Sequence, residues 1–84
     1  IHNTETSQKT DVYYNISAKE ICVQTEGLIS AVFIHSIAGL ELIRVSGLNS
    51  NQYALNTSNW EAGLYIVTLI VDGKIYNEKI YIYE

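Results

Sequence analysis

Few residues of this sequence combine the chemistry and the spacing of a catalytic or metal-binding group. Its histidines are His2 and His35, and Cys22 is its single cysteine. Ser36 follows His35, but adjacent strand residues point to opposite faces of a sheet, so the two side chains do not form a nucleophile–base pair. One cysteine and two distant histidines do not make a zinc site, and no glycine-rich phosphate loop occurs. We therefore predict that the protein is not an enzyme and holds no metal or cofactor.

Cys22 lies in the segment "KEICVQT", whose alternation of apolar and polar residues is typical of a strand. One face would carry Ile21 and Val23, and the other would carry Cys22 and Gln24. A single cysteine forms no internal disulfide bond, and no neighbouring base or metal ligand would activate its thiol. We therefore predict that Cys22 is a small buried apolar side chain.

Aromatic residues are the remaining candidates for a functional surface. The chain has seven tyrosines and a single tryptophan, Trp60, which lies in the segment "TSNWEAG". Because this segment has the composition of a tight bend, we predict that Trp60 is a hydrophobic plug beneath the bend. The alternative is an exposed ring that stacks on a sugar, as in a carbohydrate-binding or adhesin-type accessory module.

The composition of the whole chain restricts the class of protein. Its 84 residues fit one domain, and a hydrophobic content of 48% is enough for a single core. The formal net charge of −4 disfavours nucleic acid or an anionic bilayer as the partner. No apolar run approaches the roughly 18 residues of a membrane helix, so we predict no direct membrane insertion. The first residue is Ile1, and we expect the chain to be the last domain of a longer protein.

Short strands would position these side chains. Residues 1–11 are polar and aperiodic, and we interpret them as a linker that leads into a domain at residues 12–84. Turn formers at Gly27, at Ala38-Gly39 and in a loop at residues 48–51 divide that domain into short apolar segments. The pattern predicts an all-β fold, an immunoglobulin-like antiparallel β-sandwich of about seven short strands.

The segment "LYIVTLIVDGKIYNEKIYIY" carries the strongest structural signal. Asp72-Gly73 between two apolar runs predicts a hairpin with a two-residue turn. In that register Val71 pairs with Lys74, and Tyr65 pairs with Ile80. Neither face of the hairpin is wholly polar, so it is a candidate both for the core and for a recognition surface. Its final strand also leaves open a homodimer that pairs edge to edge.

Several motifs follow one another in order along the second half of the chain. Gly39 follows "IHSIA", the polar stretch "NSNQYALNTSNW" comes next, and Ala62-Gly63-Leu64-Tyr65-Ile66-Val67 opens the final apolar run. Gly73 and Lys79 complete the series before "IYIYE". This ordered set, over residues 31–83, resembles the C-terminal sorting domain of the Bacteroidetes type IX secretion system.

The chain departs from that family's pattern in a few places. Glu61 precedes Ala62, where proline is common in the family, and "VYYNISAKE" lacks the proline of the stretch that often begins these domains. Many members end in a basic residue, whereas this chain ends in Glu84. These differences concern the N-terminal edge of the domain and its final charge, and they leave the expected fold intact.

The resemblance implies a transport signal. In that family the domain directs an attached cargo protein from the periplasm across the outer membrane, to the cell surface or the medium. The implied partners are an outer-membrane translocon, a shuttle, and a sortase-like peptidase that usually removes the domain near its N-terminal linker. A structural immunoglobulin-like spacer with no sorting role is a further alternative. The residues that the resemblance marks as signal elements are Gly63, Tyr65, Gly73, Lys79, Ile80 and Ile82.

Overall fold

The computed structural model describes residues 9–83, and within that range it contains five strands and no helix. The strands are β1 (Thr10–Asn15), β2 (Glu20–Ser36), β3 (Glu41–Asn56), β4 (Gly63–Val71) and β5 (Lys74–Ile82). Accordingly, no described segment is a helix that would span a membrane. The predicted linker lies outside the described range up to residue 8, as do His2 and Glu84. Its last two residues, Thr10 and Asp11, belong to β1, so the first strand begins slightly earlier than the predicted domain boundary at residue 12.

The long strand β2 organises the sheet because it pairs along both of its edges. β3 runs antiparallel along one edge, while β1 and then β4 occupy the other. β5 extends the sheet beyond β4, again antiparallel. The sheet curls, so that inward side chains from both halves of β2 join one core with those of β4 and β5.

The predicted count of about seven strands is wrong, because two of the predicted breaks lie inside long strands. β2 continues through Gly27, and β3 continues through residues 48–51. In place of turns, the β2–β3 register shifts between Gln24 and Ile29 and again between Ile29 and Ala31. Glycine and small polar residues occur at β-bulges as well as at turns. Pairing with the neighbouring strand keeps such residues within a continuous strand. The all-β antiparallel class is confirmed, whereas the immunoglobulin-like sandwich stays a prediction.

The core lies on the inner face of the curled sheet. Val32 and Ile34 of β2 are fully buried and pair with Leu69 and Val67 of β4, which are also fully buried. Burial of each such side chain contributes roughly 1.5–3 kcal/mol to the stability of the fold. A domain of this size depends on these contributions because folding buries only a modest share of its surface. The rest of the core cluster comes from β2, β4 and β5, namely Ile21, Val23, Ile29, Tyr65, Val71, Ile80 and Ile82.

The turn predicted at Ala38-Gly39 is present and joins β2 and β3 into a hairpin, with a loop over residues 37–40. β2 ends at Ser36 and β3 begins at Glu41. The Gly39 N–H donates to the Ser36 carbonyl over 2.9 Å, and the Ser36 N–H donates to the Leu40 carbonyl over 2.8 Å. These bonds close the loop while leaving the apolar side chain of Leu40 exposed to solvent.

The predicted hairpin of β4 and β5 is confirmed in its register. Val71 pairs with Lys74 and Tyr65 pairs with Ile80, and no register shift interrupts the ladder between them. Asp72 has φ 50° and Gly73 has φ 80°. Two consecutive positive φ angles are what a type I′ turn requires, and this turn matches the natural twist of the flanking strands.

The tip of this hairpin is attached to the bulged segment of β2. The Asp72 N–H donates to the Leu28 carbonyl over 3.1 Å. In return, the Leu28 N–H donates to Oδ1 of Asp72 over 3.2 Å. Because residues so far apart in the chain are bonded in both directions, the turn is held against the sheet and does not project freely.

Candidate recognition surface

The candidate signal residues lie on one element, the β4–β5 hairpin, but in two separate groups. Gly73 lies at the tip, exposed, in the turn beside Asp72. Gly63, Tyr65, Ile80 and Ile82 lie together at the opposite end, where Gly63 pairs with Ile82 and Tyr65 pairs with Ile80. Lys79 is close to this second group in the chain but lies on the other face of the strand. The structure therefore brings most of the predicted residues together at the open end of the hairpin.

Gly63 begins β4 in a conformation that other residues rarely adopt. Its φ is 153°, and that backbone region is almost restricted to glycine. A Cβ placed on this residue would have no neighbour within 4 Å. The unusual backbone angle, and not a close approach of another group, is therefore what favours glycine at this position.

Tyr65 anchors the bend that leads into β4. Its side chain is buried, and its hydroxyl donates a 2.6 Å hydrogen bond to the Glu61 carbonyl. The ring lies 5.3 Å from that of Trp60, centroid to centroid, at an angle of 42°. Trp60 is half-buried and packs against the core cluster, which favours its predicted role as a plug at the bend.

We expect Tyr65→Phe to lower the free energy of unfolding by roughly 0.5–1.5 kcal/mol. The substitution keeps the ring and its contact with Trp60 but removes the hydroxyl that satisfies the Glu61 carbonyl. Urea denaturation followed by tryptophan fluorescence measures this change directly. Tyr76→Phe is the matched control, since no described hydrogen bond involves that hydroxyl. An equal loss in both variants would contradict the anchoring role.

Ile80 and Ile82 face the core. They are 6% and 4% exposed, respectively. Their side chains therefore offer almost no surface to a partner of the folded domain, and what they do is hold the end of β5 on the sheet. Their part in recognition stays a prediction. They would contribute indirectly, by fixing the position of β5.

The outer face of β5 is the part of the hairpin that a partner can contact. Ile75 and Tyr81 are 67% and 65% exposed, and Lys79 lies between them, also exposed. Asn77 shares this face and accepts, through Oδ1, a 2.7 Å hydrogen bond from the Thr68 hydroxyl of β4. We call Ile75, Asn77, Lys79 and Tyr81 the outer row. The outer row combines large exposed apolar side chains with one positive charge. Large apolar patches are uncommon on a water-exposed protein surface.

The sequence did not indicate a second surface, a groove beside the bend with both apolar and polar lining residues. The groove has a volume of about 370 Å³ and lies against Trp60 and Tyr65. Leu40 and Leu42 form its other wall. These leucines belong to the β2–β3 connection and the start of β3, distant in sequence from the bend. The apolar Leu40 directly after the predicted turn Ala38-Gly39 is the one sequence signal for this surface.

Polar residues of the β2–β3 hairpin form a local cluster. Arg44 donates two hydrogen bonds of 2.8 Å to the Glu41 carboxylate, and its guanidinium carbon lies 4.8 Å from the centroid of the Phe33 ring. The hydrogen bonds from Arg44 lower the pKa of Glu41. His35 pairs with Glu41 in the β2–β3 register. Across residues 9–83, no three His, Cys, Asp or Glu side chains are grouped as metal ligands would be.

Cys22 is half-buried and not buried as predicted. The predicted faces are correct, since Ile21 and Val23 point into the core. Cys22 lies opposite Tyr13 of β1 on the other face, where the hydrogen bond and charge of the Cys22 side chain raise the pKa of the Tyr13 hydroxyl. The prediction failed because no second layer of described residues covers that face.

The chain matches the model of a known protein family. The model for a secretion system C-terminal sorting domain matches residues 10–83. The match therefore begins at the first residue of β1 and extends past the end of β5. Comparison with curated proteins gives no match. A domain of this family is a sorting signal for type IX secretion, and such a signal implies export to the outer membrane or cell surface. Because the match covers all five strands, the chain belongs to the family of type IX C-terminal sorting domains.

Proposed function

We propose that this domain directs an attached cargo protein from the periplasm across the outer membrane, and that the secretion machinery recognises the β4–β5 hairpin. The observation that carries the proposal is the combination of a regular ladder with an exposed outer row. The pairing of β4 with β5 runs without a register shift from the Gly63–Ile82 pair to the Val71–Lys74 pair. On the surface that it holds in place, Ile75, Lys79 and Tyr81 are open to solvent.

A rigid hairpin suits recognition by a partner. The type I′ turn, its two bonds to Leu28 and the buried Ile80 and Ile82 keep the outer row in one position. A partner that binds a surface already ordered does not have to offset the entropy of ordering it. The apolar side chains of Ile75 and Tyr81 would supply contact area, while Lys79 would favour an acidic group on the partner.

In this proposal the domain acts as a signal and has no catalytic role. The machinery, and not this domain, would provide the translocon, the shuttle and the sortase-like peptidase. By the family resemblance, that peptidase would cut near the N-terminal linker that precedes β1 and release the cargo to the cell surface, where such cargo is often joined to lipopolysaccharide. The periplasm is then a stage of transit.

The carbohydrate-binding alternative receives less support from the geometry. A sugar-stacking ring needs a free face, whereas Trp60 is half-buried against Tyr65 and the core, and only part of its side chain lines the groove. Glycan binding that disappears in Trp60→Ala would favour this alternative.

The experiment that tests the proposal is a reporter fusion. Residues 1–84 are joined behind a periplasmic reporter in a bacterium with an active type IX system, and the reporter is located by cell fractionation and surface labelling. We expect the reporter on the cell surface or in the medium. The matched control is the same fusion in a strain that lacks the translocon.

Retention of the reporter in the periplasm of both strains would contradict the proposal. That result would favour a structural spacer, which redirects nothing. Export in the strain without the translocon would show a route independent of type IX secretion, and it would also contradict the proposal.

A further inference from the structure

One edge of β5 has hydrogen-bonding groups that no described strand uses. In a two-residue hairpin, the residues that flank the turn are hydrogen-bonded to each other, so Lys74 and every second residue after it bond to β4. The backbone N–H and C=O groups of Ile75, Asn77 and Lys79 therefore point away from β4. Among residues 9–83, β5 pairs with β4 alone. Such an edge is a template for another strand.

This edge is accessible over the segment next to the turn. Lys74 and Glu78 are exposed although their side chains point to the inner face of the sheet. β1 touches β5 at the opposite end, where the rings of Tyr14 and Tyr83 lie 5.5 Å apart, edge to face. The segment from Lys74 to Lys79 is thus open at its edge as well as on its outer face.

The edge of β3 is a less suitable template. Register shifts interrupt its pairing with β2, and each bulge bends the strand and increases its twist. The Ser50 hydroxyl also bonds the backbone of Gln52 on both its N–H and its carbonyl. The ladder of β5 with β4 has no register shift.

We propose that β5 pairs antiparallel with β5 of a second copy of this chain, around a two-fold axis at Tyr76. In this register Lys74 lies opposite Glu78 of the second copy, and Glu78 lies opposite its Lys74. Ile75 lies opposite Asn77, and each of these pairs exchanges two N–H···O=C bonds. The two Tyr76 rings meet at the axis, where an aromatic cross-strand pair is favourable.

The charges on β5 select this register. An axis at Glu78 would place two Glu78 carboxylates opposite each other, which is destabilising. An axis at Asn77 would place Glu78 opposite Tyr76 and Lys74 opposite Ile80, so neither charge would have an opposite charge beside it. The axis at Tyr76 pairs Lys74 and Glu78, the two charges on the inner face of β5, with each other, so this face of the strand is complementary to itself, as a two-fold interface requires. This proposal concerns the isolated chain and does not depend on the proposed sorting function.

Sedimentation equilibrium over a series of protein concentrations tests the proposal on the full 84-residue chain. We expect the wild type to dimerise reversibly, and Lys74→Glu or Glu78→Lys alone to raise the dimer dissociation constant roughly ten-fold or more. The double variant Lys74→Glu/Glu78→Lys restores opposite charges in the pair, so we expect an affinity near that of the wild type. Lys19→Glu makes the same charge change in the β1–β2 turn and serves as the control.

A second variant tests the backbone pairing itself. Ile75→Pro removes an N–H that points away from β4, so the hairpin ladder stays complete while the edge loses a donor. We expect a monomer whose thermal unfolding is close to that of the wild-type monomer. Three results would each overturn the proposal: a wild type that stays monomeric at millimolar concentration, a double variant no tighter than the single ones, or an Ile75→Pro variant that still dimerises.

Discussion

Deletion of residues 79–84 is expected to leave the cargo in the periplasm. The deletion removes Ile80 and Ile82, which are almost fully buried, and Lys79 of the outer row. Loss of one large buried aliphatic side chain costs about 2–5 kcal/mol, and a whole domain is stable by about 5–15 kcal/mol. The truncated domain therefore loses both its folded state and its recognition surface. Cell fractionation of reporter fusions that end at residue 78 or at residue 84 measures the effect.

A double variant on the outer row separates the two causes. Lys79→Ser/Tyr81→Ser changes exposed side chains and leaves Ile80 and Ile82 in the core. We expect export to fall while the free energy of unfolding changes by less than about 0.5 kcal/mol, as is usual for surface substitutions. Normal surface display after the deletion would contradict the role of the hairpin. Full export of the double variant would assign recognition to another surface of the domain.

Gly63→Val is expected to lower the free energy of unfolding and to impair export. The φ of 153° lies in a region where a residue with a Cβ is strained by roughly 1–3 kcal/mol. The Cβ itself adds no steric clash to this cost, since no atom lies within 4 Å of it. To relieve the strain, the start of β4 must move, and Tyr65 and Ile82 move with it. Urea denaturation and reporter export measure the two effects on the same variant.

Gly47→Val is the matched control for this prediction. Gly47 also has a positive φ, 74°, and open space around its Cβ, but it lies in β3, outside the hairpin. Both variants should lose stability, and export should fall further in Gly63→Val because that change displaces the end of the hairpin. Unchanged stability and export in Gly63→Val would contradict the structural role of this glycine. Equal loss of export in both variants would attribute the effect to stability alone.

Local signals were sufficient for the closing hairpin. Asp72-Gly73 favours two consecutive positive φ angles, and the apolar runs on both sides leave one register that buries Tyr65 and Ile80 together. Turn type and strand alternation depend on neighbouring residues, and they can be predicted without knowing the rest of the fold. The same holds for the placement of Trp60 at a bend.

Local signals failed where long-range pairing decides the outcome. Gly27 and residues 48–51 have the composition of turns, yet β3 lies beside β2 on both sides of the bulge and keeps each strand continuous. Hydrogen bonds to a strand distant in sequence outweigh a weak local preference to turn. The predicted seven segments therefore became five strands.

The amino-acid sequence alone determined the all-β class, the register of the final hairpin and the family to which the chain belongs. These properties depend on alternation, on turn chemistry and on the order of motifs, all of which are local. Only the tertiary structure decided that Cys22 is half-buried, that Ile80 and Ile82 face the core, and that Leu40 and Trp60 line one groove. Burial depends on which strands cover a face, and segments far apart in the chain meet only when the sheet curls around its core.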